Sequence, residues 1–213
     1  AVRRASRHVD PKRFSKELFL TAATVNPAEI GHMYLRSTAK LRDKSPFFVD
    51  KLPVNYLNIP LILAALPKAK IVHLVRDPMD ACFASFKQLF ADAYLHSYDQ
   101  CEMARHHARY RDLMAHFRQE FPGHIIDISY EAAARDLEPN ARKLIGALEL
   151  PWEDACLNFH ESTSGVATAS SVQVREPAHT RSIGRWRRYE TELSPMMNEL
   201  TRLGVPLEGV PLE

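Results

Sequence analysis

Several kinds of residue that would point to a particular class of protein are scarce in this sequence. Only 3 of its 213 residues are cysteines, and Cys82, Cys101 and Cys156 form neither a C-x-x-C pair nor a cluster with histidine. The cysteine pattern thus predicts reduced thiols in a cytoplasmic protein, with no metal site. No apolar run approaches the roughly 18 residues of a membrane span, so no membrane partner is expected.

An excess of charge of either sign is absent as well. The 28 Lys and Arg residues nearly balance the 26 Asp and Glu residues, which leaves a formal net charge of +2. Proteins that bind nucleic acid through their overall charge have a larger basic excess, so no nucleic-acid partner is expected, and any anion site must be local. Internal repeats and low-complexity linkers are also missing, and we predict a single domain over residues 1–213.

What the sequence does contain is a strand pattern that occurs three times, each time ahead of a helical pattern. The predicted strands are Phe47–Asp50 (FFVD), Lys70–Val75 (KIVHLV) and His124–Ser129 (HIIDIS). The predicted helices are Asn26–Arg42, Pro53–Leu66, Pro78–Phe90, Asp99–Phe121 and Glu131–Leu148. Repeated strand and helix are typical of an α/β fold with a parallel β-sheet flanked by helices.

Polar side chains follow all three predicted strands. Lys51 follows the first strand, Arg76 the second and Tyr130 the third. Because ligands of open parallel sheets bind beyond the carboxyl ends of the strands, we expect these side chains to meet along one edge. Two cations and an aromatic ring suit a ligand that carries both phosphate groups and a base.

Arg76 has the clearest physical setting of the three. Asp77 is a strong N-cap, Pro78 suits the first helical position and Asp80 completes a pattern like a capping box, so a helix is predicted to begin directly after the arginine. The unpaired N–H groups of that helix end would form an anion site beside the guanidinium, and Ser85 could add a hydroxyl. Pairing of Arg76 with Asp77 or Asp80 at the surface stays open as an equal alternative.

A second polar region lies near the C-terminus, at Thr168–Glu190, where basic residues crowd around Trp186. Its arginines are Arg175, Arg181, Arg185, Arg187 and Arg188. These side chains could close over an anionic ligand. They could also form a solvated basic face, which is the more common role of a charge run.

Four segments together resemble one known family. They are DKLPVNYLNIPLILAALPKAKIVHLVRDPMDACFASF, SYEAAARDLEP, LPWEDACLNFHE and TASSVQVREPAHTRSIGRWRRYE. On these motifs the chain, from about Asn26 to Leu203, resembles the bacterial sulfotransferases associated with tetratricopeptide repeats, which are similar to tyrosylprotein sulfotransferases. The resemblance implies a P-loop NTPase-like fold and metal-free transfer of a sulfuryl group from 3'-phosphoadenosine 5'-phosphosulfate to an acceptor hydroxyl. The acceptor, whether a peptide tyrosine, a carbohydrate or a small molecule, stays open.

The resemblance also implies a role for each site residue. Lys51 matches the lysine that contacts the transferring sulfuryl group, an electrostatic role like that of lysine in phosphoryl transfer. Arg76 matches the arginine that holds the 3'-phosphate of the donor, and Tyr130 matches a tyrosine that packs beside the adenine. Ser170 and Arg185 match a serine and a basic residue that reach the phosphate end of the donor from the C-terminal segment.

The sequence departs from the family pattern in two respects. The family's 3'-phosphate serine falls at the position of Ala84, and Ser85 comes one position later, about 100° round the helix. The family's first strand and phosphate loop have no counterpart, and no G-x-x-x-x-G-K-[ST] motif occurs. We therefore expect an N-terminally truncated, C-terminal portion of a sulfotransferase domain. The general base is expected upstream, because His73 is interpreted as a core residue and His179 is only a weak candidate.

Two functions of other kinds stay open at this point. A P-loop nucleotide kinase is disfavoured by the missing Walker motif, and a requirement for magnesium would identify one. A noncatalytic nucleotide-binding or scaffold remnant of the sulfotransferase fold would account for Ala84 and for the missing loop.

Overall fold

The computed structural model describes residues 16–43, 45–90, 93–161 and 175–209. The chain divides into two compact units, residues 1–71 and 72–213. The single domain expected from the sequence stays a prediction.

The first unit contains three short α-helices in its described part. They are α1 (Lys16–Ala22), α2 (Pro27–Thr38) and α3 (Ile59–Ala65). α2 begins where the sequence predicts, because the Asn26 side chain accepts a hydrogen bond from the Ala28 N–H (3.0 Å) and Pro27 occupies the first turn. It ends before the predicted Arg42 and passes into a 3₁₀ turn at Ala39–Leu41.

α2 and α3 approach each other closely at Gly31. A Cβ atom added at Gly31 would overlap the carbonyl oxygen of Ala65. Ile30 of α2 and Ile59 of α3 are both buried. The contact between the two helices therefore depends on a residue without a side chain at this point.

The strand predicted at Phe47–Asp50 is wrong. These residues have no regular secondary structure, and Val49 is 92% exposed. A strand needs a neighbour for its backbone hydrogen bonds, and the strands in the described part of the chain pair only with each other. The helix predicted next is also divided, into a 3₁₀ helix at Pro53–Asn58 and α3, which has Pro60 in its first turn, where a missing N–H is tolerated.

A parallel sheet of two strands, β1 (Ile71–Val75) and β2 (Ile125–Ser129), lies at the segments KIVHLV and HIIDIS. Both strands were predicted from their short β-branched runs. Helices follow each strand in the chain, and this arrangement confirms the α/β fold with a parallel sheet flanked by helices.

The described part of the second unit also contains five α-helices and several 3₁₀ helices. The α-helices are α4 (Pro78–Phe86), α5 (Gln100–Glu120), α6 (Tyr130–Arg135), α7 (Leu137–Ala147) and α8 (Ser194–Arg202). The 3₁₀ helices are Leu95–Tyr98, Asp154–Cys156, Phe159–Glu161 and Arg185–Tyr189. None of the helices that the structure describes is both long and apolar enough to cross a membrane.

The boundaries of these helices follow their local sequence in part. α5 agrees with the predicted Asp99–Phe121, because the Asp99 side chain accepts a hydrogen bond from the Glu102 N–H (2.8 Å) and caps the helix. The single helix predicted at Glu131–Leu148 is instead α6 and α7, since Asp136 (φ −146°, ψ 88°) leaves the helical conformation.

The core of the second unit is formed by α4, α5, α8 and the 3₁₀ helix Arg185–Tyr189. Its buried side chains are Met79, Cys82, Phe83, Met103, Ala104, Ala108, Trp186, Leu193, Met196, Leu200 and Val205. Trp186 is only 3% exposed and anchors the 3₁₀ helix in this core. Because α4 begins just after Arg76, this packing fixes the chain that follows Arg76.

Candidate anion-binding site

Arg76 and Tyr130, which the sequence places at the ends of two strands, are in contact. The Arg76 guanidinium carbon lies 4.5 Å from the centroid of the Tyr130 ring, a cation–π contact. Parallel pairing of β1 with β2 brings these residues to one edge of the sheet. Arg76 Nη2 also donates a hydrogen bond to the Ser182 carbonyl oxygen (2.9 Å), so two separate segments hold the guanidinium.

The surface ion pair that the sequence left open for Arg76 is replaced by other contacts. Asp77 Oδ2 accepts a hydrogen bond from the Gly209 N–H (3.1 Å), and Asp80 Oδ2 accepts one from the Gly184 N–H (2.6 Å). Arg76 Nε is buried and has no hydrogen-bond partner in the described structure. Its guanidinium has five N–H groups, so much of its donor capacity is left for a ligand.

The N-terminus of α4 is not the open anion site that the sequence predicts. The Asp77 N–H donates to Glu131 Oε1 (2.9 Å), and the Met79 N–H donates to the Leu207 carbonyl oxygen (3.3 Å). The helix begins at Pro78 with Asp77 at the N-cap, as predicted, but the expected side-chain cap hydrogen bond is not formed. The acceptors come from segments that are distant in sequence, and local capping rules take no account of such segments.

A cavity of about 330 Å³ beside this helix end is lined largely by charged residues. The carboxylates among them are Asp77, Asp80, Glu131 and Glu208. Burial and the neighbouring carboxylates raise the pKa of Asp77, although the hydrogen bond from Gly209 lowers it. Two arginines, Arg135 and Arg187, line the same cavity, so carboxylates outnumber cations there by four to two. This excess of carboxylates does not favour the phosphate groups of a ligand. In the described residues no group of His, Cys, Asp and Glu is arranged to hold a metal ion.

Arg76 belongs to a group of three cations, here called the basic cluster, with Lys87 and Arg185. Burial lowers the pKa of Lys87, the charges of Arg185 and Arg76 lower it further, and the carboxylate of Asp80 raises it in part. The three cations therefore interact electrostatically, with one carboxylate close by. Lys87 Nζ also lies 5.5 Å from the centroid of the Phe83 ring. Like charges held together repel one another, and a bound anion relieves this repulsion.

Lys87 is a member of the cluster that was not predicted from the sequence. It follows α4 at the C-cap, whereas Arg76 precedes the helix. Helical periodicity cannot be counted from Arg76, because this residue lies before the helix. No local signal in the sequence therefore identifies Lys87.

The other predicted site residues are distributed differently. Ser85 is half-buried in the last turn of α4, next to Ala84. Ser170 lies outside the described residues. Lys51 belongs to the first unit and is exposed there. The structure therefore brings Arg76 and Tyr130 into contact, and it relates Arg185 to Arg76 only through the effect of both charges on Lys87.

The residue before Lys51 is held by two hydrogen bonds. The Tyr34 hydroxyl donates to Asp50 Oδ2 (2.7 Å), and Asn55 Nδ2 donates to Asp50 Oδ1 (3.3 Å). Burial, together with the hydrogen bond to Asp50, raises the pKa of Tyr34 to about 12. The phenol thus stays protonated at neutral pH, and Lys51 extends from an anchored backbone.

His73 forms a structural network rather than part of the basic cluster. Its Nδ1 lies 2.5 Å from Asp127 Oδ1, and its Nε2 bonds to the Tyr110 hydroxyl. Arg118 Nε donates to Asp127 Oδ2 (2.7 Å). Burial opposes ionisation of Asp127, but the hydrogen bonds from His73 and Arg118 outweigh it and lower the pKa of Asp127 to about 2. The network connects β1, β2 and α5.

Comparison with known proteins gives one family. The profile described as "Sulfotransferase family" matches residues 3–154. An uncharacterized protein of Aquifex aeolicus is 34% identical over 183 residues, which cover 84% of this chain and 24% of that protein. The "Protein-tyrosine sulfotransferase" of Drosophila melanogaster is 26% identical over 180 residues, covering 80% of this chain and 36% of that protein. The chain therefore spans about a quarter to a third of the length of these relatives.

A solved structure has a similar fold. The "Sulfotransferase Domain from the Curacin Biosynthetic Pathway" superposes with a TM-score of 0.58 at 16% sequence identity, and the match covers 97% of this chain and 78% of that one. At this identity the likeness concerns the fold alone.

Proposed function

The chain belongs to the sulfotransferase family, and we propose that it binds 3'-phosphoadenosine 5'-phosphosulfate and passes its sulfuryl group to a hydroxyl acceptor. The observation that carries this proposal is Arg76 at the end of β1, held by the Tyr130 ring and the Ser182 carbonyl oxygen, with the charges of Lys87 and Arg185 completing the basic cluster. A donor with phosphate groups at both ends of a nucleoside needs fixed cations, and the cluster supplies them on the surface of a protein whose net charge is only +2.

The residues of the cluster fit the 3'-phosphate end of this donor. Arg76 is held by the Tyr130 ring and the Ser182 carbonyl oxygen, and the buried, unpartnered Nε has a donor to spare. Arg185 and Lys87 add two further cations. Tyr130 would place an aromatic ring next to the base, and Ser85 and Ser170 would add hydroxyl groups to the same site.

Lys51 is proposed as the catalytic residue. The donor supplies an activated sulfuryl group, whose departure leaves negative charge on a phosphate oxygen. The ammonium group of Lys51 would stabilise that charge, and the anchored Asp50 would fix the backbone from which Lys51 extends. Positioning and charge stabilisation account for most catalysis in the analogous phosphoryl transfers, without a covalent intermediate on the enzyme.

A peptide tyrosine is the acceptor class that the comparisons favour. Support comes from the similarity, over 80% of this chain, to the Drosophila protein named as a protein-tyrosine sulfotransferase. Carbohydrate and small-molecule hydroxyls are the alternatives, and a panel of tyrosine peptides and sugars offered with labelled donor distinguishes them.

Titration calorimetry with adenosine 3',5'-bisphosphate tests the proposed donor site. Arg76→Ala should raise the Kd about tenfold or more, because charge-assisted hydrogen bonds contribute about 1.5–3 kcal/mol. Arg188→Ala, an exposed arginine close to Arg185 in sequence, is the matched control and should change the Kd little. Equal losses in both variants would mean that the nucleotide responds only to overall charge.

A second candidate function has one observation in its favour. Ala84 stands where the family has a serine of the 3'-phosphate site, and this supports a noncatalytic nucleotide-binding or scaffold protein. Donor binding at the basic cluster without transfer to any hydroxyl acceptor, measured on the full-length protein, would favour this function over the enzyme.

A further inference from the structure

Asp80 is a buried carboxylate of α4 to which the proposed function gives no role. It is 2% exposed, and its Oδ2 accepts a hydrogen bond from the Gly184 N–H (2.6 Å). A carboxylate removed from water is costly unless its partners compensate. The partner lies 104 positions further along the chain, in the segment that completes the basic cluster.

Gly184 lies between two residues that serve the basic cluster. Ser182 supplies the carbonyl oxygen that accepts a hydrogen bond from Arg76 (2.9 Å), and Arg185 is a member of the cluster. Gly184 has a φ of +66°, a backbone conformation that favours glycine. The hydrogen bond to Asp80 thus fixes the turn from which both functional groups extend.

The residues on both sides of Arg185 in the sequence are held in place. On one side, Asp80 holds Gly184. On the other side, Trp186 is 3% exposed and packs in the core formed with α4, α5 and α8. With both neighbours held, the backbone of Arg185 has little freedom.

We propose that Asp80 is a positioning residue, which holds the Ser182 carbonyl oxygen beside Arg76 and fixes the backbone of Arg185 through its hydrogen bond to Gly184. The effect on the position of this segment is independent of any ligand. The effect on donor binding rests on the proposed function. Two experiments separate these effects.

The first experiment measures the segment without nucleotide. The chain has two tryptophans, so a Trp152→Phe background leaves Trp186 as the only tryptophan, which is excited selectively over the tyrosines. Asp80→Ala should increase quenching of Trp186 by acrylamide, whereas Asp80→Asn, which keeps an acceptor oxygen for Gly184, should leave quenching near that of the parent. Asp112→Ala, an exposed aspartate of α5, is the matched control. Unchanged quenching in Asp80→Ala overturns the proposal.

Amide hydrogen exchange in the unsubstituted chain tests the same claim if Asp80→Ala does not fold. The Gly184 N–H should exchange slowly, because it is bonded to a buried carboxylate. Exchange at the rate of an exposed loop amide would contradict the anchoring by Asp80.

The second experiment measures donor binding in a double-mutant cycle with adenosine 3',5'-bisphosphate. Asp80→Ala should raise the Kd about tenfold, which is the loss of one charge-assisted contact, and Asp80→Asn should restore most of the affinity. In an Arg185→Ala background the effect of Asp80→Ala should shrink, because the two residues act on the same contact. If the effects of Asp80→Ala and Arg185→Ala on the binding free energy are fully additive, the positioning role is overturned.

The two proposals fail in different ways. If the parent binds no bisphosphate while Asp80→Ala still increases quenching of Trp186, the proposed donor is wrong and the positioning of the segment stands. If the parent binds bisphosphate and Asp80→Ala changes neither the Kd nor the quenching, the donor site stands and the role of Asp80 is rejected.

Discussion

Charged side chains in this protein serve two different purposes. One group places like charges together, and an anionic ligand would relieve their repulsion. It consists of Arg76, Lys87 and Arg185. Arg118 and Asp127 neutralise each other between α5 and β2, with Nε and Oδ2 2.7 Å apart. We therefore expect substitutions in the first group to change ligand binding and substitutions in the second to change stability.

Lys87→Ala should weaken the binding of adenosine 3',5'-bisphosphate about three- to tenfold. The change removes one cation of the basic cluster, and exposed charges contribute less than buried ones. It should also lower the slope of log Kd against log salt, since one fewer charge meets the ligand. Calorimetry at two salt concentrations measures both effects. Lys143→Ala, an exposed lysine of α7, is the control, and an equal effect there would contradict a local role for Lys87.

Asp127→Asn should lower the free energy of unfolding at neutral pH and reduce its pH dependence in acid. The pKa of Asp127 is lowered from 3.8 in the unfolded chain to about 2 in the folded protein, so the folded state favours the carboxylate. Its contribution to stability is therefore present above pH 3.8 and is lost as the pH falls toward about 2.

Urea unfolding of the parent and of Asp127→Asn over this pH range measures that contribution. The difference between the two proteins should be largest at neutral pH and should shrink in acid. A difference that stays constant with pH would show that the contacts with His73 and Arg118 do not lower the pKa of Asp127.

Sequence reasoning at this scale succeeded where the signal is local. Arg76 and Tyr130 each follow a strand, and pairing of the strands brings them together. It missed the hydrogen bond between Asp80 and Gly184, because nothing near either residue indicates a partner 104 positions away. Asp77 and Asp80 have the sequence of helix caps, yet tertiary contacts use both carboxylates elsewhere.

At the scale of helices and strands, elements with their own start signals were predicted well. α2 and α5 begin at capping side chains, Asn26 and Asp99. The strand expected at Phe47–Asp50 lacked a partner in the described chain, and the composition of a strand does not reveal whether a neighbour exists. The division of α6 from α7 at Asp136 was missed because periodicity continues across the break.

Gly31→Ala tests how closely α2 and α3 pack. The added methyl group would overlap the Ala65 carbonyl oxygen, so the substitution should destabilise the protein by about 1–3 kcal/mol, the usual cost of overpacking. Gly146→Ala in α7 is the control. Its Cβ would meet no atom within 4 Å, and the higher helix propensity of alanine should stabilise the protein by about 0.5–1 kcal/mol. Equal thermal stability in the two variants would contradict the close approach.

For the whole molecule, function depends on where charge is placed rather than on how much there is. The formal net charge is +2, yet the second unit holds a basic cluster and, next to it, a cavity lined by four carboxylates and two arginines. Arg76 belongs to the cluster, and the adjacent Asp77 lines the cavity. The adjacency predicts that a phosphate group is directed to the guanidinium and kept from the N-terminus of α4.

A crystal structure of the chain with adenosine 3',5'-bisphosphate tests this central claim most directly. We predict that one phosphate lies within hydrogen-bond distance of the Arg76 guanidinium, with Arg185 or Lys87 as a second ligand, and that Glu131 and Leu207 keep their bonds to the N-terminus of α4. A phosphate bound at the N–H groups of Asp77 and Met79, or bound away from all three cations of the basic cluster, would contradict the account.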